Sequence, residues 1–202
     1  MSVLSHNVSP RKWWQCSHPL VVYIDLFGAF VSIIALFYVD GMYARLYVLV
    51  VIVQMFVSAL YHWRYTSKLF QYVDHAFIYI LIAATAMPYM HFHIIDGELW
   101  LFQLLMIVTI AAIVIKRLHI HLDHVSNLLY SIVTAFVAYI MLGLGQHVDT
   151  YSAAAFWVGA WLYPFQMFLY IWRYNNWYRE RQHLFGQLPA TQIHVWLVAY
   201  LF

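Results

Sequence analysis

Twelve histidines in a chain of 202 residues, of which only 9% are Lys, Arg, Asp or Glu, are the feature most suggestive of chemistry. Asp25, His62, Asp74, His75 and His194 stand inside or at the edge of long apolar runs. An Asp at the centre of a membrane-crossing helix costs on the order of 2.5–3.5 kcal/mol on insertion scales, so such groups need an offset and are functional candidates. His62 ends the second apolar run, Asp74 opens the third, and His194 stands early in the last. If these runs are helices, three of them deliver imidazole, carboxylate and imidazole to one depth. Ser58 lies one turn before His62 and shares its face. Neutral imidazoles suit zinc, and a catalytic zinc keeps three protein ligands and an open position. His62 and His194 are the metal-ligand candidates. Asp74 is the candidate general base, and Ser58 would assist the reacting oxygen.

Each residue also has a plainer reading. His62 at a helix end can be an interfacial hydrogen-bonding group, and Asp74 can cap a helix. Ser58 can serve close helix packing. Asp25 can pair with a cation or a pocket histidine, or stay protonated. His75 points about 100° away from Asp74 and can bond a neighbouring helix. His119, His121 and His124 in HIHLDH could bind metal but read as a solvated loop, as does His183. His91 and His93 fall at the opposite end from the candidate pocket.

The elements that must carry these groups follow from composition. Hydrophobic residues make up 65% of the chain, whereas soluble domains carry about 45–50% apolar and about 25% charged residues. This excludes a soluble globular protein and a disordered chain. A net charge of +2 gives no broad basic field, which excludes a nucleic-acid binder. The single cysteine, Cys16, excludes a disulfide framework and a Cys-based zinc cluster. In hydrocarbon only helices and closed barrels satisfy the backbone, and the apolar runs here are continuous rather than alternating. About 20 residues of helix cross the roughly 30 Å apolar layer. Seven helices are expected, at 19–39, 43–62, 70–90, 98–115, 124–144, 152–173 and 188–202, making one membrane domain of residues 1–202. The last covers about 22 Å at 1.5 Å per residue, so it is the shortest. Pro88 and Pro164 should kink the third and sixth.

Charge sorting supports this parse. Arg11, Lys12, Arg64, Lys68, Lys116, Arg117, Arg173, Arg179 and Arg181 fall on one side, and only Arg45 falls on the other, with Asp40, Asp96, Glu98 and Asp149. The positive-inside rule then puts the N-terminus in the cytoplasm and the C-terminus outside. Trp13, Trp14, Trp63, Trp172 and Trp177 fall at expected interfaces. No cleavable signal peptide is expected, because Arg11 to Trp14 precede the first run and no small-residue cleavage site follows it. The expected location is a plasma or bacterial inner membrane, as an integral multi-pass protein.

Ser58 to His62, SALYH, resembles the S-x-x-x-H motif of the hemolysin III family, part of the progestin and adipoQ receptor (PAQR) superfamily, whose wider relatives include alkaline ceramidases. VDHAFIYILIAATAMP, residues 73–88, resembles the family's LDH-x-x-IYLLIAGTYTP signature at Asp74, His75, Ile78, Tyr79, Leu81, Ile82, Ala83, Thr85 and Pro88. IHVWLVAYLF, from Ile193, is similar to its final-helix motif H-x-x-x-H-x-x-V. The resemblance covers residues 18–202 and is most specific in helices two and three. It implies a seven-helix bundle with a zinc near the cytoplasmic leaflet. His62 matches the first ligand, Asp74 the aspartate that holds a water on the metal, and His194 the second histidine of the final pair. The first histidine of that pair falls at Ala190, so one family ligand is absent, and only 12 residues separate His62 from Asp74.

Three functions follow from these residues and this resemblance. The first is a zinc-dependent hydrolase of ceramide-like lipid amides, acting in lipid homeostasis on substrates that enter from the membrane. The second is a non-enzymatic receptor or sensor with a structural or degenerate metal site, which the absence at Ala190 favours. The third, a pore, is disfavoured because polar residues gather at one end rather than along the whole depth.

Overall fold

A computed structural model of the chain describes residues 18–64, 67–90, 99–119, 123–142, 147–171 and 182–202. Among the described residues there are helices and turns and no strand. The α-helices are α1 (Pro19–Leu36), α2 (Met42–Trp63), α3 (Lys68–Ala84), α4 (Leu99–Leu118), α5 (Asp123–Ile140), α6 (Thr150–Ile171) and α7 (Leu188–Leu201). Their order and bounds follow the apolar runs of the sequence closely.

The departures have local causes. α3 stops at Ala84 instead of running to residue 90, and Met87–Tyr89 form a short 3-10 turn. Pro88 lacks the N–H that a continued helix would use. The hydroxyl of Thr85 donates to the carbonyl of Ile82 at 2.6 Å, at the same break. α6 stays continuous through Pro164. α7 is preceded without interruption by a π-helical turn, Gln182–Gln187. Pro189 cannot donate to the preceding turn and crowds the carbonyl four residues earlier. A wider π turn meets that constraint and carries the chain further toward the N-terminal end of α1.

Helix starts carry the expected signals. Pro19 opens α1, where a missing N–H costs nothing. Ser67 caps α3 through its hydroxyl. Asp149 caps α6 from the loop before it: Oδ1 accepts from the backbone N–H of Tyr151 at 3.0 Å and of Ser152 at 3.1 Å, and Oδ2 accepts from the Ser152 hydroxyl at 2.5 Å. The Ser152 hydroxyl bond, then the Ser152 backbone bond, hold this exposed carboxyl below the usual range.

α1 packs on α2, α2 on α3, α3 on α4 and α5, and α6 on α7, while α7 closes back on α1. One apolar core joins Tyr79, Leu105, Val133, Met141, Phe156 and Leu197. A second joins Ala29, Val48, Val51, Met55, Leu81 and Val195. Outward-facing positions are also apolar: Phe27 and Phe30 on α1, Ile107 and Ile110 on α4, and Trp161 on α6 are all exposed. Asp25, Gln54, Ser58, His62 and Asp74 are instead buried. Polar groups inside and apolar groups outside invert the pattern of a water-soluble bundle. Among the described residues, four helices, Pro19–Leu36, Met42–Trp63, Lys68–Tyr89 (counting the 3-10 turn) and Leu99–Leu118, are long and apolar enough to cross a membrane.

Candidate metal centre

The end of the bundle where α1 begins and α2 ends gathers three ligand-bearing side chains from distant parts of the chain. Asp25 stands one and a half turns into α1, His62 is the penultimate residue of α2, and His183 lies in the π turn before α7. Their ligand atoms all lie within 4.8 Å of one another, and all three residues are buried. His183 Nδ1 is 2.9 Å from Asp25 Oδ1. The His62 and His183 rings meet edge to face, with centroids 4.8 Å apart, and His18 packs edge-on against His62 at 5.8 Å.

The convergence follows from direction. α1 and α2 are antiparallel neighbours, so the start of one is level with the end of the other. The π turn adds chain ahead of α7, and this brings His183 to the same level. Asp25 and Asp74 are each six residues past the first residue of their helix, which is about 9 Å of rise. They therefore sit at one depth.

Asp74 is buried and accepts from Gln54 Nε2 at 3.2 Å. The Ser58 hydroxyl also bonds its carboxyl, and its charge lies within reach of His183 and Asp25. Gln54, Ser58 and His62 recur at four-residue spacing along α2, so one stripe of that helix lines the pocket. The pocket thus holds two imidazoles, two carboxylates, an amide and a hydroxyl with almost no exposure.

The donor set fits a metal ion. Asp25 Oδ2 and Gln54 Oε1 are buried without a hydrogen-bond partner, and native proteins pair such atoms with protein, water or an ion. Two histidines and a carboxylate match known zinc sites, in which a carboxylate bonded to the far nitrogen of a ligand histidine fixes that ring. Asp25 is placed for either role toward His183.

The residues singled out from sequence meet different fates. His62, Asp74 and Ser58 are buried at the end of the bundle where α2 finishes and α3 begins. His194 does not join the group that forms around His62. Its Nε2 is 3.0 Å from the carbonyl oxygen of Phe156 on α6, and its ring packs between Phe156 and Tyr163. Eleven positions separate it from His183, so it sits a different distance along the bundle. His183, read as a solvated loop residue, is instead 6% exposed and central to the pocket. Asp25 pairs with a pocket histidine, one of the alternatives left open for it. His75 packs near Tyr61 and Tyr130 and is not one of the three grouped residues. His91, His93 and His121 lie outside the described residues, as does the side chain of His124.

The missed candidate, His183, left one signal. LFGQLPA continues the apolar character upstream of Leu188, and a helix start placed before His183 would have brought it into the bundle. No protein-family model, curated protein or solved structure matches the chain.

Proposed function

We propose that this is a seven-span membrane protein of lipid homeostasis, with its N-terminus in the cytoplasm, its C-terminus outside and a zinc centre at the cytoplasmic leaflet. The centre hydrolyses the amide of a ceramide-like lipid. The observation that carries this reading is the closed group of Asp25, His62 and His183 beside Asp74. His62 and His183 would hold the ion, with Asp25 as third ligand or as the carboxylate that orients His183. His194 is not part of this ligand set.

When bound, zinc supplies Lewis acidity that polarises a carbonyl and makes water nucleophilic near neutral pH. The chain's own residues do the rest. Asp74 accepts the proton of the attacking water and returns it to the leaving nitrogen as the C–N bond breaks. Gln54 and Ser58 fix the Asp74 carboxyl for that exchange. The apolar walls around the pocket exclude bulk water and suit an acyl chain, and the charge sorting of the sequence supports the orientation.

The deciding experiment is metal stoichiometry on detergent-purified protein, paired with release of fatty acid from a ceramide. Retained zinc that is lost in His62→Ala and His183→Ala, with turnover abolished in Asp74→Asn, is the expected result. Protein that retains no metal at neutral pH, with ceramide turnover indifferent to Asp74→Asn, would refute it. Retained zinc without turnover would favour the second reading, a receptor or sensor whose metal only ties α1, α2 and α7 together. The resemblance to hemolysin III proteins supports both readings.

A further inference from the structure

Away from the His62 group, the interior holds a second set of polar side chains with incomplete bonding. Tyr47 on α2, Tyr89 on the 3-10 turn, and Thr191 and His194 on α7 are all at least nine-tenths buried. The hydroxyls of Tyr47 and Tyr89, with Nδ1 of His194, are buried and lack a hydrogen-bond partner, and Tyr163 on α6 and Thr191 stand beside them. They belong to one neighbourhood. The His194 ring stacks on Tyr163 with centroids 6.0 Å apart and packs on Phe156 at 5.0 Å, while Tyr89 meets Phe156 edge-on at 5.6 Å. The Tyr163 and Thr191 hydroxyls bond to each other, and the Tyr47 hydroxyl lies within electrostatic reach of Tyr163 and Tyr89.

An orphaned buried polar group keeps its full desolvation penalty with nothing to offset it. Three in one neighbourhood would weigh heavily against a domain's small net stability if the site were dry. Native interiors avoid this by holding water or another hydrogen-bonding guest. The geometry also fixes what that guest must do. A carbonyl only accepts, so His194 Nε2 carries a proton and donates to Phe156. In the neutral ring Nδ1 is then a bare acceptor that calls for a donor. Gly159 shows that α6 is shaped for this ring: a Cβ there would lie 2.7 Å from His194 Nε2 and 2.9 Å from its Cδ2.

We propose that Tyr47, Tyr89, Tyr163, Thr191 and His194 form a second binding site, separate from the metal centre, for a small neutral hydroxyl-bearing guest that donates to His194 Nδ1. Ordered water and the hydroxyl of a lipid headgroup share this chemistry. The four side-chain hydroxyls both give and accept, so they complete the shell around such a guest without any charge.

The test uses the full chain in detergent. Radiolytic hydroxyl labelling in isotopically heavy water marks side chains that touch held water, and native mass spectrometry detects held lipid. Heavy-oxygen label on buried Tyr47, Tyr89 or Tyr163 identifies water as the guest. A hydroxyl lipid that survives purification and is lost in His194→Phe identifies the lipid source. Unlabelled tyrosines with no such lipid overturn the proposal. The near-isosteric variants Tyr89→Phe and Tyr47→Phe give an independent reading. Around a guest, both lower the melting temperature. In a dry site each removes an orphaned hydroxyl, so an unchanged or raised melting temperature in both counts against the site. None of these measurements reads metal content.

Discussion

Two buried histidines on the same C-terminal segment have opposite settings. His183 meets the carboxylate of Asp25, more than 150 positions away in the chain, and shares its pocket with His62. His194 meets a backbone carbonyl of the neighbouring α6, and its ring packs on Phe156 and Tyr163. Both are almost fully buried, at 6% and 3% exposure, so burial does not distinguish them. Their partners do. An imidazole beside a carboxylate and a second imidazole can hold a cation, because the donors are soft enough and the carboxylate offsets the charge. An imidazole anchored to a carbonyl through one nitrogen can accept a hydrogen bond from a neutral group at the other.

The sharpest test of this contrast is metal content. His183→Ala should remove the retained metal, as His62→Ala should, while His194→Ala leaves it in place. Inductively coupled plasma analysis of the three purified variants reads this directly, and a loss confined to His194→Ala would invert the comparison.

Next in size is Asp25→Asn. If the carboxylate orients His183 from behind, metal affinity should fall by roughly 10–100-fold, the usual cost of losing such a partner. Competition with a chelator measures it. Unchanged affinity would show that Asp25 merely packs against His183.

A moderate effect is expected at the other histidine. Gly159→Ala forces a methyl group against the His194 ring and should destabilise the bundle by about 1–3 kcal/mol, as overpacking does. Metal content should not change. Thermal unfolding in detergent checks the first expectation, and the metal assay on the same sample checks the second.

The smallest effect belongs to neither pocket and calibrates both. The Asp149 cap carries a lowered folded pKa, chiefly through the Ser152 hydroxyl, so its contribution is complete above the ordinary carboxylate range. It fades as pH falls through the lowered value, where the group takes up a proton. Asp149→Asn should flatten that acid-side slope in melting temperature and leave the profile near neutral pH almost unchanged. A slope of equal size in the variant would assign the acid sensitivity to other carboxylates.

Much of the frame was legible in the chain. Continuous apolar runs located the helices within a few residues, because a helix in hydrocarbon satisfies its backbone internally and must be long enough to cross. The break at Pro88 was legible for the same local reason. Around the site, the four-residue spacing of Ser58 and His62 placed both on one face of α2, and the N-terminal position of Asp74 set its depth. The remainder was not legible, and His183 shows why. Pro189 is a strong marker of a helix start, so the segment before it reads as loop, although a π turn continues the helix through it. His194 failed for a different reason. Its depth could be counted from helical rise, but the direction of its ring depends on a notch at Gly159 on another helix.

By itself, then, the sequence determined an all-helical, lipid-compatible chain with costly polar groups concentrated in a few helices. Those are local properties, set by backbone hydrogen bonding, by rise per residue and by the price of placing charge in an apolar medium. Only the tertiary structure decided which polar groups meet. Asp25 and His183 come together because α7 closes back on α1, and His194 turns away because α6 offers it a carbonyl. Contacts of that kind depend on how helices rotate and pack against one another, and no spacing along a single run encodes them.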